Sequence, residues 1–302
     1  MGLNRVWCCH AGNFQRTNAA LAVAAASTFL RAHPELVSRK DTRVPTSTTN
    51  ITPTVRLGLE AVQWPGRAQI VEVAAGAGFP HTTFALDGAH TTKSVAVASE
   101  WYHSYCDELA SASAATAGDD ECKDEDVRSS PGARIKRVLF FNCGHGKQTT
   151  ELLKVLAPQQ FDAAVFAPFD MAKPTSKPLP TTAELLSQAG LPTSCSDASA
   201  GAGASSKTVW QESLRRVWVA LRDEDDTSLG TVCTSVQEAL TRVLAPQLDI
   251  TGTASADDAP RSVERVCVFV TGSLYLVGNT LAALGWDVDS CSIPPPTKTT
   301  ST

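Results

Sequence analysis

Apolar positions fall along this chain in two periods, and the breaks between them mark its elements. Ala68 to Val73 (AQIVEV) alternates apolar and polar side chains, the period of a half-buried strand. After a turn at Gly76 and Gly78, Thr82 to Leu86 returns as a second strand, so the pair predicts an antiparallel hairpin with an enlarged loop. Arg137 to Phe141 (RVLFF), Phe161 to Phe166 (FDAAVF) and Val263 to Val270 (VERVCVFV) are continuous apolar runs. Such runs suit parallel strands covered on both faces. Helical spacing fills the intervals: residues 17 to 31, Ala-rich with Leu and Val in register, then Val55 to Val62, Thr91 to Leu109, Thr149 to Leu156, about 209–222, 232–244, and a last helix after Val270. Thr17 or Asn18 is placed to cap the first of them.

This order predicts an α/β fold: a Rossmann-like, mostly parallel sheet with an antiparallel start, helices on both faces and a separate amino-terminal helix. Two stretches interrupt it. Residues 110 to 134 hold Ser/Ala repeats and the acidic run Asp119 to Asp126, and residues 168 to 208 are rich in Pro, Ser, Ala and Gly. Both are expected to be disordered insertions, the second with one short helix near Thr181–Gln188. The tail 293–302 is expected to be disordered as well.

Composition narrows the function. With 302 residues, 43% of them hydrophobic, the chain can hide roughly three quarters of its unfolded surface. A net charge of −5 gives no electrostatic reason to expect nucleic acid or an anionic membrane surface. No apolar run approaches the ~20 residues that span a bilayer, and the amino terminus lacks the apolar region of a secretory signal. Nine cysteines without a C-x-x-C spacing suggest reduced thiols rather than zinc or a disulfide framework, and so the cytosol or an organelle matrix.

Three turns carry candidate chemistry. Asp87-Gly-Ala-His90 joins a strand end to a helix and would deliver a carboxylate and an imidazole to the crevice outside the strands' carboxyl ends; alternatively Asp87 simply caps the helix and His90 lies on its first turn. In Trp64-Pro-Gly-Arg67 the Pro and Gly stiffen the turn and set Arg67 for bidentate contact with phosphate or carboxylate. The turn Gly144-His-Gly-Lys147 lacks the first Gly and the final Ser/Thr of a phosphate loop, so a strand-to-helix turn whose glycines permit positive φ is the favoured reading. Ser273 is read as a helix cap. No G-x-S-x-G or H-E-x-x-H occurs.

Taken in order, Trp64-Pro-Gly-Arg67, Leu86-Asp-Gly-Ala-His-Thr91, Val138-Leu-Phe-Phe-Asn142, Phe161 to Phe166 and Val270-Thr-Gly-Ser-Leu-Tyr-Leu-Val-Gly278 resemble the carboxy-terminal domain of the eukaryotic folylpolyglutamate synthases, of the Mur ligase group. Gln15-Arg-Thr-Asn18 resembles the helix that closes that family's ATPase domain. The resemblance implies ATP-dependent addition of L-glutamate to a tetrahydrofolate through an acyl phosphate, with Mg²⁺ and a monomeric full-length enzyme. It implies catalytic roles for His90 and Asp87, and nucleotide contacts from Arg67, Asp87, Asn18 and Gln15. Two positions depart from the family pattern: Phe14 stands where His is usual, and Cys-Gly-His-Gly-Lys follows Asn142 in place of Thr-Gly and a charged pair. The expected organisation is a remnant of the ATPase domain with the interdomain connection over 1–62, and the α/β domain over 63–292. The phosphate loop, the Mg²⁺ ligands and most of the folate site would lie in a domain this chain lacks. Two other readings stay open: a non-catalytic nucleotide-binding or subunit-like module, and a dihydrofolate synthase.

Overall fold

The protein is described by a computed structural model covering residues 13–36, 52–62, 64–73, 82–116, 135–145, 148–170, 179–193, 208–222, 230–244, 265–287 and 289. The chain divides into two compact units, Met1–Gln69 and Ile70–Thr302.

The first unit contains α1 (Asn13–Ala32) and α2 (Pro53–Ala61). α1 starts four residues before Thr17, which places Thr17 and Asn18 inside the helix and overturns their reading as caps. The helical residues ahead of Thr17 include no Gly or Pro to stop the helix propagating. α2 opens with Pro53 at its first position and Thr52 as cap, whose hydroxyl accepts from the Val55 N–H at 3.4 Å.

The second unit is built on six strands: β1 (Gln69–Glu72, shared with the boundary), β2 (Thr82–Leu86), β3 (Ile135–Phe141), β4 (Ala163–Phe166), β5 (Gly230–Val232) and β6 (Arg265–Thr271). Their order is β1-β2-β6-β3-β4-β5. β2 with β6, β6 with β3, β3 with β4 and β4 with β5 are all parallel. The Val73 N–H donates to the Thr82 carbonyl at 3.4 Å. The end of β1 therefore meets the start of β2, which is the antiparallel start expected from the sequence. The sheet is mixed and mostly parallel, as predicted. β5 is an addition: its Gly-Thr-Val run falls just before the expected 232–244 helix, and α7 (Val236–Leu244) begins only after it.

Strand alternation sorts the core into two layers. Phe84, Leu86, Val138, Phe140, Val266, Val268 and Val270 pack with α7 and with α8 (Leu274–Ala283). The opposite face carries Phe141, Phe166 and Phe269 against α3 (Thr92–Thr116), α4 (Thr149–Leu156) and α6 (Val209–Arg222). There Tyr102 stacks on Phe269 at 4.9 Å, and Trp218 meets Phe166 edge-on at 6.4 Å.

Two expectations about the insertions need correction. α3 runs on through residues 110–116, because Ala and Ser continue a helix already nucleated. Within 168–208 the short helix expected near Thr181–Gln188 is present as α5 (Thr182–Ala189), but it is packed rather than part of a disordered insertion, with Leu185 and Leu186 enclosed. The remaining parts of both insertions, and the tail 293–302, lie outside the described residues.

Candidate functional site

The carboxyl ends of β2, β6 and β3 are neighbours in the sheet. α3 and α4 follow β2 and β3 onto one face, while α8 follows β6 onto the other. Connections that diverge in this way leave a crevice at the strand ends, where open α/β sheets bind ligands.

Asp87 is the first residue beyond β2. It is 4% exposed, and its N–H donates to the Val270 carbonyl at 3.0 Å. The Gly272 N–H donates in turn to the Ala89 carbonyl at 3.0 Å, so the loops after β2 and β6 interlock. Two glycines make this close approach possible. A Cβ on Gly88 would stand 2.2 Å from Leu274 Cδ2. Gly272 has φ +96, and a Cβ there would stand 2.5 Å from the Asn142 carbonyl oxygen.

The cap of α3 is Thr91. Its hydroxyl accepts from the Ser94 N–H at 3.2 Å, and Ser94 Oγ accepts from the Thr91 N–H at 3.1 Å. This removes the alternative that Asp87 caps the helix. His90 precedes the cap rather than lying on the first turn. It is exposed, with Nδ1 3.3 Å from the Gly88 carbonyl. A buried carboxylate and an exposed imidazole thus share one short loop at the rim. Ser273 caps α8, accepting from the Tyr275 N–H at 3.1 Å, as the sequence suggested.

The loop after β3 is anchored from both sides. Asn142 Nδ2 donates to the Ala167 carbonyl at 2.7 Å, tying the end of β3 to that of β4. Trp210 Nε1 donates to the Cys143 carbonyl at 3.0 Å, and the Trp210 ring meets His145 edge-on at 4.7 Å. Burial lowers the His145 pKa and pushes the Cys143 thiol up to about 12. Gly144 does not adopt positive φ, so the expected conformational reason for that glycine does not apply; Gly146 and Lys147 lie outside the described residues. Trp210 is not foreseen in this role by the sequence. Its signal there, an aromatic in the first turn of a helix, does not identify which loop it will hold.

The remaining candidates belong to the first unit. Asn18 Nδ2 donates to Gln15 Oε1 at 3.0 Å, one turn apart on the exposed side of α1. Trp64 to Arg67 forms a type II turn: the Arg67 N–H donates to the Trp64 carbonyl at 3.1 Å, Pro65 takes the second position, and Gly66 has φ +76. Gln69 Oε1 accepts from the Gly66 N–H at 2.8 Å and braces the turn. Arg67 thus stands on the stiff support that its neighbours predict.

Among the described residues, no group of three or more His, Cys, Asp and Glu could hold a metal ion. No helix among them is long and apolar enough to cross a membrane.

The fold defines an α/β domain whose connections diverge at the carboxyl ends of β2, β6 and β3, the rim that carries Asp87 and His90. No protein-family model matches the chain. Relatives do. It is 33% identical over 166 residues to the mitochondrial folylpolyglutamate synthase of Cricetulus griseus, covering 52% of this chain and 24% of that protein. It is 27% identical over 275 residues to a folylpolyglutamate synthase of Saccharomyces cerevisiae, covering 90% of this chain and 38% of that one. A solved Mycobacterium tuberculosis folylpolyglutamate synthase, complexed with ADP and AMPPCP, aligns with 92% of this chain and 41% of its own at 18% identity and a TM-score of 0.46. The chain is a relative of the folylpolyglutamate synthases, as its motifs suggested, and it spans between 24% and 38% of the length of the two sequence relatives.

Proposed function

We propose that this chain carries the carboxy-terminal part of a folylpolyglutamate synthase and takes part in ATP-dependent addition of L-glutamate to the γ-carboxyl of (poly)glutamyl tetrahydrofolate. The observation that carries this reading is the similarity to synthases of that name, 33% identity over 166 residues. The interlocked loop bearing Asp87 and His90 is the accompanying structural support.

A carboxylate is a poor electrophile at neutral pH, and phosphorylation supplies the leaving group that lets an amine attack. In this reading the Arg67 guanidinium offsets charge on the phosphates and Asp87 orients the nucleotide. His90 stands beside the reacting carboxyl and the incoming amine. Asn18 and Gln15 would add nucleotide contacts, as the resemblance implies. Mg²⁺, when bound, neutralises phosphate charge, and its ligands would come from outside the residues described. The enzyme would act as a monomer, in the cytoplasm or in mitochondria, the latter location supported by the names of relatives. The domain boundary would fall near residues 62 and 63.

The test joins this chain to the amino-terminal portion of a relative and follows glutamate-extended tetrahydrofolate by mass spectrometry. Arg67→Ala and Asp87→Asn should each lower turnover by ~10²–10³, the usual cost of one preorganised group at a developing charge. Ligation undiminished in both variants would overturn the assignment. A pteroate substrate serves as control, because a dihydrofolate synthase must accept it.

A further inference from the structure

Two free cysteines from distant parts of the chain meet inside the second unit. Cys106 of α3 and Cys267 of β6 are 0% and 1% exposed, and their thiols are hydrogen-bonded to each other. Backbone geometry accounts for the meeting. β2, β6 and β3 are parallel, so α3, which joins β2 to β3, runs back from the rim. Tyr102 fixes its level: the ring stacks on Phe269 at 4.9 Å, and the hydroxyl donates to the Cys267 carbonyl at 2.8 Å. Cys106 lies one helical turn further along α3, a rise of about 6 Å. Cys267 is the next residue before Phe269 on the same side of β6, a step of about 6.6 Å. The two side chains therefore arrive at one level from facing elements.

A cation stands beside them. Arg137 pairs in register with Cys267, so its side chain leaves the sheet on the same side. The guanidinium holds Asp107 of α3 and Gln160 and adjoins the Cys106 sulfur, yet its Nε is enclosed without a partner. A neutral thiol accepts hydrogen bonds weakly and a charged sulfur strongly, so this surplus donor favours ionised Cys106. The hydrogen bond from Cys267, with Tyr102 and Arg137 alongside, outweighs burial and lowers the Cys106 pKa, while the same bond and burial raise that of Cys267. The Arg137 side chain is 19% exposed and that of Asp107 71%, so the cluster reaches solvent on this side.

We propose that Cys106 and Cys267 form a redox modification site, a dithiol that a small hydroperoxide converts to an intramolecular disulfide joining α3 to β6. Cys106, as thiolate, attacks one oxygen of the hydroperoxide. The O–O bond breaks, the other oxygen leaves with a proton as water or alcohol, and Cys106 becomes a sulfenic acid. Cys267 then attacks that sulfur. The S–S bond forms, the S–O bond breaks, and hydroxide leaves with the Cys267 proton as water. The two sulfurs together lose two electrons and the peroxide gains them. This chemistry does not depend on the folate reading.

The experiment treats the purified chain with hydrogen peroxide, blocks the remaining thiols with N-ethylmaleimide, and maps unreduced peptides by mass spectrometry. The peptides holding Cys106 and Cys267 should be recovered joined, and dithiothreitol should separate them. The joined form should melt above the reduced one, because the bond closes a long loop of the unfolded chain. Cys267→Ala should stop at the sulfenic acid, trapped on Cys106 by dimedone, whereas Cys106→Ala should give no adduct on Cys267. Arg137→Met should slow disulfide formation about tenfold, the effect of one pKa unit on the thiolate fraction. Recovery of Cys106 and Cys267 as separate maleimide adducts after peroxide, or each joined to other cysteines, overturns the proposal. So does a joined form that melts below the reduced chain. The wild-type map needs no variant, so it decides even where an alanine chain misfolds.

Discussion

At the rim, single atoms decide what is allowed. Gly272 sits in the left-handed region with backbone and an aromatic ring where its Cβ would be. Gly272→Ala should therefore destabilise the protein by ~2–4 kcal/mol, combining φ strain with displacement of Asn142 and Phe141. At Gly88 the nearest obstruction is the end of the Leu274 side chain, which is half exposed and can swing away. Gly88→Ala should cost less, about 1 kcal/mol. Urea unfolding of both variants measures the difference, and equal losses would contradict this account of the two loops. His103 makes a separate prediction about pH. Burial, helped by the Arg137 guanidinium and opposed by Asp107, pushes its pKa from 6.5 down to about 4. The unfolded chain then takes up the proton first. The stability His103 contributes is complete above pH 6.5 and is lost as pH falls from there towards 4. His103→Gln should flatten the stability–pH curve over that window, leaving a smaller slope from His145, whose shift has the same direction. An unchanged slope in the variant would refute the shift.

At the scale of elements, what the sequence reveals depends on how much of each signal is local. β3, β4 and β6 are legible because a strand covered on both faces must be apolar throughout, and few other elements tolerate such runs. α6 stands at the limits that its helical spacing predicts. β5 is not legible: three residues carry no period, and the strand exists because Phe166 and Val165 offer an open edge to Val232 and Thr231. α5 is only half visible. Its surroundings have the composition of an unfolded insertion, yet Thr181 and Glu184 form a capping box and Leu185 and Leu186 are enclosed. If α5 is integral to the domain, Leu185→Ala should cost ~2–5 kcal/mol and Thr181→Ala ~1 kcal/mol in chemical denaturation. Losses near zero in both would return this helix to the status of a dispensable insertion. The reach of α3 to Thr116 makes the same point, since a Ser/Ala stretch with the composition of a linker continues a helix once packing has nucleated it.

At the scale of the whole molecule, the second unit holds the six-stranded sheet and nearly all of the enclosed apolar side chains, whereas α2 in the first unit buries none. A fragment comprising residues 63–302 should therefore keep a cooperative thermal transition and the helical circular-dichroism signature of the sheet unit. A fragment that is unfolded at low temperature would place the boundary elsewhere. The candidate site is legible in part. Asp87, His90 and the stiff turn under Arg67 stand out as residue types in local patterns, and the Arg67 turn has the positive-φ glycine that its sequence predicts. Asn142 and Trp210 do not stand out, because what singles them out is the neighbour they have. By itself the sequence determined the fold class and which segments are buried, since burial demands an apolar pattern that can be read one residue after another. Only the tertiary structure decided that β6, last in the chain, enters between β2 and β3 and so sets Thr271 between Asp87 and Asn142. Hydrogen bonds between strands join residues far apart in sequence, and that choice of neighbour leaves no local trace.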